Sequence, residues 1–212
     1  TRKESSAASD VYKRQGFVKD SLDEAFAQNL TDVAPLIASR ESAREALVAK
    51  CGENVNIRRL TAVSGDTVGA YLHGHRIGVL VVLKGGSDEL AKHVAMHVAA
   101  SNPAVVSPDQ VSEELVAKEK EIFLQLNADK IAGKPENIVE NMIKGRINKF
   151  LAEASLVEQA FIMDPEVKVG DLVKKAGAEI VSFVRYEVGE GIEKAENDFA
   201  AEVAAQVAAS KQ

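Results

Sequence analysis

"AYLHGHRIGVLVVLKGG", residues 70–86, carries the clearest structural signal in the chain. Its first half belongs to the run "TVGAYLHG" and its second half is "RIGVLVVLKGG", both β-rich in composition. The two runs meet at His73-Gly74-His75. A short loop with an internal glycine between apolar flanks predicts a β-hairpin, and hence an antiparallel sheet. Lys84-Gly85-Gly86 ends the second strand.

Downstream, Ser87 caps a helix with Asp88 and Glu89 in its first turn, where negative charge complements the helix dipole. The apolar stripe of this helix is Leu90, Ala91, Val94, Ala95 and Val98, and Asn102-Pro103 ends it. Upstream, "NVNIRRLTAVSG" alternates Val55, Ile57, Leu60 and Val63 with polar residues and predicts a strand ending at Gly65. Before it, Phe17, Leu22, Ala25 and Phe26 fall at helical spacing, and residues 32–36 carry a proline turn. Residues 39–50 read as a helix with Ala43, Leu47 and Val48 on one face, closed by Cys51-Gly52.

Residues 108–155 change character. Pro108 starts a long charged helix with Val111, Leu115, Ile122 and Leu126 as its apolar positions. "AGKPEN" breaks it, and a second helix follows with Val139, Ile143, Ile147 and Phe150 on one stripe. Narrow stripes on charged helices, joined by a tight break, predict an antiparallel helical hairpin of coiled-coil type. "DLVKKAGAEIVSFVRYEVGEGI" then gives a short helix, Gly177, and a strand through Val181, Phe183 and Tyr186. "AENDFAAEVAAQVAAS" is an Ala-rich terminal helix with Phe199, Val203 and Val207 on one face. A faint repeat relates "NIRRLTAVSGD" to "SFVRYEVGEGI", each a strand with a central Arg and a Gly-acid finish.

Composition narrows the function. The chain has 212 residues, 46% of them hydrophobic, which suffices for one domain with a real core or two small ones. A net charge of -6 argues against a nucleic-acid binder, which needs a basic face. The single cysteine, Cys51, cannot form an internal disulfide, so a reducing, cytoplasmic setting is expected. The apolar run 77–83 is far short of the ~20 residues that span a bilayer, so no membrane role is expected. Residues 1–15, "TRKESSAASDVYKRQ", are polar and without apolar periodicity and read as a disordered tail or an artefact outside the fold.

Several residues invite sharper readings. His73 and His75 could bind a metal, but the turn between them spoils the shared face and no nearby carboxylate or thiol completes a site. His93 and His97 have the i, i+4 spacing of a zinc pair, but Val94 follows His93 where the metalloprotease pattern needs Glu, so they read as partly buried structural histidines. Cys51 lies at a helix C-terminus, where the dipole disfavours a thiolate. Arg58-Arg59 put one charge on each face of their strand, one against a carboxylate or facing a partner. Ile162-Met163 is either core packing or a partner patch.

Five blocks in order, "GENVNIRRL", "YLHGHRIGVLVVLKGG", "AMHVAASNP", "GKPENIVENMIKGRINKFLAEASLVEQAFIMDP" and "VGEGIEKAENDFAAEVAAQ", resemble the elongation factor Ts family from about Gly16 onward. The resemblance implies a guanine-nucleotide exchange factor for the translational GTPase EF-Tu. It is no enzyme, has no catalytic residue, cofactor or metal, and acts by binding the GDP-bound and nucleotide-free partner with different affinity. It implies an α+β fold of two similar antiparallel-sheet/helix subdomains, with an inserted helical hairpin and a C-terminal helical module. The expected boundaries are 16–65 for a truncated first subdomain, 66–107 with 155–190 for the second, 108–154 for the hairpin and 191–212 for the terminal module. The family's N-terminal helical module and Thr-Asp-Phe-Val segment have no counterpart here, which leaves an expected unpaired strand edge at 55–63. His73 and Gly74 match the family's Tyr-x-His-Gly motif, which faces the GTPase; Cys51 and Gly52 match a helix-end pair at that contact, with Cys51 in place of an aliphatic residue. Ile162 and Met163 match an apolar pair on the same contact surface. The alternative is a truncated module that binds EF-Tu, or dimerises through the helical hairpin, without exchange activity.

Overall fold

The computed structural model describes residues 2–191. The hairpin forms as the loop chemistry predicts. Strand β1 (Thr67–His73) pairs antiparallel with β2 (Ile77–Lys84), in register from Thr67 opposite Leu83 to His73 opposite Ile77. Gly74 turns the chain at φ 58°, and Arg76 N–H donates to the His73 carbonyl at 3.3 Å. Strand β5 (Glu179–Glu187) joins the other edge of β2, giving the order β1-β2-β5.

Helix α3 (Asp88–Ser101) covers one face of this sheet, its N-terminus closed by the Leu90 N–H donating to Ser87 Oγ at 3.2 Å. Its expected stripe is buried, against Val79, Val81, Leu83 and Ile180 of the sheet. Val169 and Val173 of α7 (Val169–Lys175), with Leu156 and Phe161, complete the core. Each such fully buried side chain contributes roughly 1.5–3 kcal/mol of transfer free energy. The helix can lie this close because Gly69 has no side chain: a Cβ there would sit 2.3 Å from the Ala91 carbonyl carbon. The fold is α+β, with the helices outside a small antiparallel sheet.

Helices α1 (Arg2–Ala27) and α2 (Val33–Cys51) pack on each other through Phe17, Ala25, Leu36 and Leu47, with the Arg40 guanidinium 5.4 Å over the Phe17 ring. Residues 2–15 differ from the expected disordered tail, because they continue α1. Ala, Arg, Lys and Gln are helix formers, and a helix satisfies its backbone without an apolar face. Leu22 and Phe26 keep the helical spacing but point outward. The proline turn at 32–36 is the start of α2 instead: Asp32 caps it, and Pro35 sits in the first turn, where a missing N–H costs nothing.

The helical hairpin consists of α4 (Glu113–Leu126), a short α5 (Ala128–Ile131) and α6 (Glu136–Ala154), with Arg146 Nε donating to Glu119 Oε1 at 2.7 Å across it. Pro108 opens a separate 3-10 turn (Pro108–Gln110), and Ser112 caps α4. The half-buried positions of α4 are Val116, Glu119, Phe123 and Leu124, whereas the expected Leu115, Ile122 and Leu126 are exposed. On α6 the expected Val139, Ile143, Ile147 and Phe150 are all half-buried. The two ends of the hairpin are clasped at its base: Leu156 N–H donates to the Val105 carbonyl at 2.9 Å and Ala104 N–H to that of Ala154 at 2.9 Å.

Three further elements differ from expectation. Residues 54–65 form no strand, although Val55, Ile57, Leu60 and Val63 are half-buried. They lack a backbone ladder and are held by side chains: Arg58 donates to the Glu190 carbonyl at 3.2 Å, Arg59 pairs with Glu190 at 3.1 Å and lies 4.1 Å over the Tyr186 ring, and Thr61 bonds the Tyr186 hydroxyl. Both arginines therefore reach the same turn instead of opposite faces. With no ladder at 54–65, the repeat between "NIRRLTAVSGD" and "SFVRYEVGEGI" is one of sequence pattern and not of strands. In β5, Val82 pairs with Ser182 but Leu83 with Ile180, so Val181 bulges outward and Ile180 turns to the core. A two-stranded hairpin, β3 (Ala160–Phe161) and β4 (Asp164–Lys168), stands where no strand is expected. Residues 192–212, which carry nearly all of the expected terminal module, lie outside the described residues. Among the described residues no helix is long and apolar enough to cross a membrane.

Candidate functional site

Sheet alternation carries Tyr71, His73, Ile77 and Arg185 to the helix-facing side at the hairpin end of the sheet. The register sets Tyr71, Val79 and Arg185 in one row across the three strands, and His73 beside Ile77. There they border an open groove of about 520 Å³ whose other wall is Met96 and Ala99 of α3 with Ile162 and Met163. His73 and the Ile162-Met163 pair, distant in sequence, thus share one concave surface. Ile162 and Met163 are 49% and 57% exposed, so they are not core. They form the two-residue loop between β3 and β4, and their backbone holds them at the rim.

His73 is itself positioned. The Tyr71 hydroxyl lies 3.1 Å from His73 Nδ1, a hydrogen bond that ties the imidazole to the neighbouring side chain on the same face of β1. Arg185, almost wholly buried, is anchored by Glu187 at 2.7 Å. The groove therefore offers apolar contact from Met96, Ile162 and Met163, an imidazole, and a fixed cation in its wall.

Spacing on α3 points to His97 only as a structural histidine. It is completely buried, and its hydrogen bonds reach the groove. Ile162 N–H donates to His97 Nδ1 at 3.1 Å, so Nδ1 carries no proton; Nε2 then donates to Gln159 Oε1 at 2.9 Å. Burial pushes the His97 pKa below its usual value, opposed by the Gln159 hydrogen bond. Tyr71, Met96, His97 and Arg185 are the functional candidates that sequence reasoning missed. The alternation of β1 could have found Tyr71, two residues from His73 and on its face; nothing local in the sequence links His97 to Ile162.

Cys51, Gly52 and His75 lie elsewhere. Gly52 ends α2 at φ 71°, with its N–H on the Val48 carbonyl at 2.8 Å, and Cys51 Sγ donates to the Leu47 carbonyl at 3.0 Å. Neither lines the groove of His73. Gly74 and His75 border a second, apolar groove with Val18 and Leu22 of α1, where His75 Nδ1 is 3.5 Å from Gln15 Nε2. The two histidines of the loop therefore face different surfaces and do not converge on one ion.

The family described as Elongation factor TS matches residues 10–190. A relative named Elongation factor Ts from Ectopseudomonas mendocina (strain ymp) is 90% identical over 206 residues, which is 97% of this chain and 71% of the relative. Elongation factor Ts from Stutzerimonas stutzeri (strain A1501) is 85% identical over 205 residues, with the same coverage, and that of Azotobacter vinelandii is 83% identical over 198 residues, covering 93% of this chain and 68% of the relative.

Proposed function

This chain belongs to the elongation factor Ts family, and on that premise we propose that it is a guanine-nucleotide exchange factor for EF-Tu, acting in the cytoplasm by protein contact and not as an enzyme. The observation that carries this reading is the convergence of His73 with Ile162 and Met163 on one groove, since these are the residues that the family resemblance assigns to the EF-Tu contact. Gly74, Cys51 and Gly52 belong to the same reading as contacts outside that groove. So do the boundaries 16–65, 66–107 with 155–190, 108–154 and 191–212.

The physical requirement is differential affinity. A protein that binds nucleotide-free EF-Tu more tightly than EF-Tu·GDP lowers the affinity for GDP by the same factor, because the binding free energies are linked. An exposed apolar tip beside a fixed imidazole and guanidinium is suited to such a contact: the tip is available without unfolding anything. The test is release of fluorescent GDP from purified EF-Tu on addition of this protein. Acceleration that rises with protein concentration is expected; an unchanged release rate at micromolar protein would remove the exchange function.

A second reading rests on a separate observation. Leu115, Ile122, Leu126 and Ile138 are exposed along the helical hairpin, an unpartnered apolar series of the kind that pairs helices between copies. On this reading the chain is a binding or dimerisation module without exchange activity. Deleting 110–153 would then lower the mass in solution, and a monomer before deletion would end it.

A further inference from the structure

The Ile162-Met163 loop lacks the features that make such loops self-supporting. Phe161 pairs with Asp164, so the connection has two residues. Two-residue hairpin loops favour turns with positive φ at their first position, because those match the twist of the strands, and they use Gly, Asn or Asp there. Among the described residues the non-glycine positions with positive φ are Asn29 and Asn102, so neither Ile162 nor Met163 adopts that conformation. The strands themselves are short, β3 having only two residues, and an isolated two-stranded hairpin is marginal in water.

The missing support comes from α3. His97 Nδ1 accepts the Ile162 N–H at 3.1 Å, and Nε2–H donates to Gln159 Oε1 at 2.9 Å. Gln159 Nε2 in turn donates to the Glu153 carbonyl at 2.6 Å, and the Gln159 carbonyl accepts the Val169 N–H at 3.0 Å. The His97 ring centre lies 5.9 Å from that of Phe161, the residue that begins the loop. One imidazole thus ties the loop to α3 and, through Gln159, to the base of α6 and the start of α7. Each donor and acceptor in the series is used in one sense only. A ring protonated at both nitrogens would set N–H against the Ile162 N–H.

Resting on the reading that Ile162 and Met163 meet EF-Tu, we propose that His97 is a positioning residue for that contact: by accepting the Ile162 N–H it fixes the presentation of the Ile162-Met163 tip without touching the partner. Packing alone does not account for the arrangement, since an apolar side chain would fill the volume but leave the Ile162 N–H unsatisfied.

Two substitutions separate positioning from packing. An asparagine side chain in place of the imidazole sets its amide oxygen near the position of Nδ1, whereas the longer glutamine sets its amide near Nε2. His97→Asn therefore restores the acceptor for Ile162, and His97→Gln restores only the Gln159 partner. Both lose the same ring. Affinity for purified nucleotide-free EF-Tu is measured by calorimetry for the whole chain, its two variants, and Ile162→Ala/Met163→Ala. His97→Gln is expected to weaken binding roughly tenfold and His97→Asn by less than about threefold. In the Ile162→Ala/Met163→Ala background, His97→Gln is expected to add no further loss.

Amide exchange at Ile162 in the free protein, read by NMR, needs no partner: faster exchange in His97→Gln and near-native exchange in His97→Asn are expected. Equal losses in the two His97 variants, or full additivity with the tip variant, would overturn the proposal. Absence of binding by the unsubstituted chain would instead overturn the exchange-factor reading, while the exchange data would still show whether His97 anchors the loop.

Discussion

Replacing Gly69 by alanine tests the close approach on which the core depends. The added Cβ would lie 2.3 Å from the Ala91 carbonyl carbon, 2.4 Å from its oxygen and 2.7 Å from its Cβ. Two of these atoms are helix backbone and cannot rotate aside, so relief to ordinary contact distance requires α3 to move off the sheet by about 1 Å. That movement opens the packing of Ala91, Val94, Ala95 and Val98 at once. Overpacking costs roughly 1–3 kcal/mol, and the upper end applies where backbone is struck. Loss of glycine's freedom in the unfolded chain returns about 0.4–1 kcal/mol. The net loss is about 2 kcal/mol, or a fall in melting temperature of roughly 4–8 °C for a chain of this size. Gly78→Ala is the control in the same sheet: its Cβ would meet only the Leu72 Cδ2 atom at 3.4 Å, and little change is expected. Thermal unfolding followed by circular dichroism compares them. A Gly69→Ala melting temperature within about 1 °C of the unsubstituted protein would contradict the close packing of α3 on β1.

Ser87→Ala removes the cap of α3 and should cost about 1 kcal/mol, seen as a lower urea midpoint at unchanged slope. His73→Ala leaves the core untouched, so the melting temperature should hold while affinity for nucleotide-free EF-Tu falls roughly tenfold; unchanged affinity would take His73 out of the contact. Stability should also depend on pH through His97, whose folded pKa is held below its usual value by burial. The unfolded chain then binds a proton first as pH falls, so His97 contributes full stability above about pH 6.5. That contribution is lost as pH drops from there through the folded-state pKa, at no more than about 1.4 kcal/mol per pH unit. Urea unfolding between pH 7.5 and 5.5 should show a steeper loss in the unsubstituted protein than in His97→Asn, and parallel curves would count against it.

Much of the fold is legible in local pattern. The hairpin at His73-Gly74-His75 needs a glycine at φ 58° between alternating strands, and both signals lie within a few residues. Helix α3 is legible for the same reason: its cap, its acidic first turn and its stripe are all local. Residues 54–65 show where such reading stops. Their alternation is that of a strand, and their side chains keep it, but a strand exists only when another backbone meets its hydrogen-bonding edge. The α4 stripe is misplaced because the partner face, with Arg146 reaching Glu119, sets which side of the helix is covered. Val181 is misplaced by a bulge that depends on pairing with β2.

The candidate site divides in the same way. His73, Gly74, Ile162 and Met163 stand out by residue type and by resemblance to a family, both of which are properties of short stretches. Short stretches therefore specify most of the elements, the hairpin and the candidate contact residues. Folding in three dimensions adds that His73 and Ile162-Met163 share one groove, that Cys51 and Gly52 do not, and that a buried His97 holds the loop from behind. Those are relations between segments far apart in the chain. Pairing, burial and hydrogen-bond satisfaction become definite only when the segments meet, so no stretch read alone contains them.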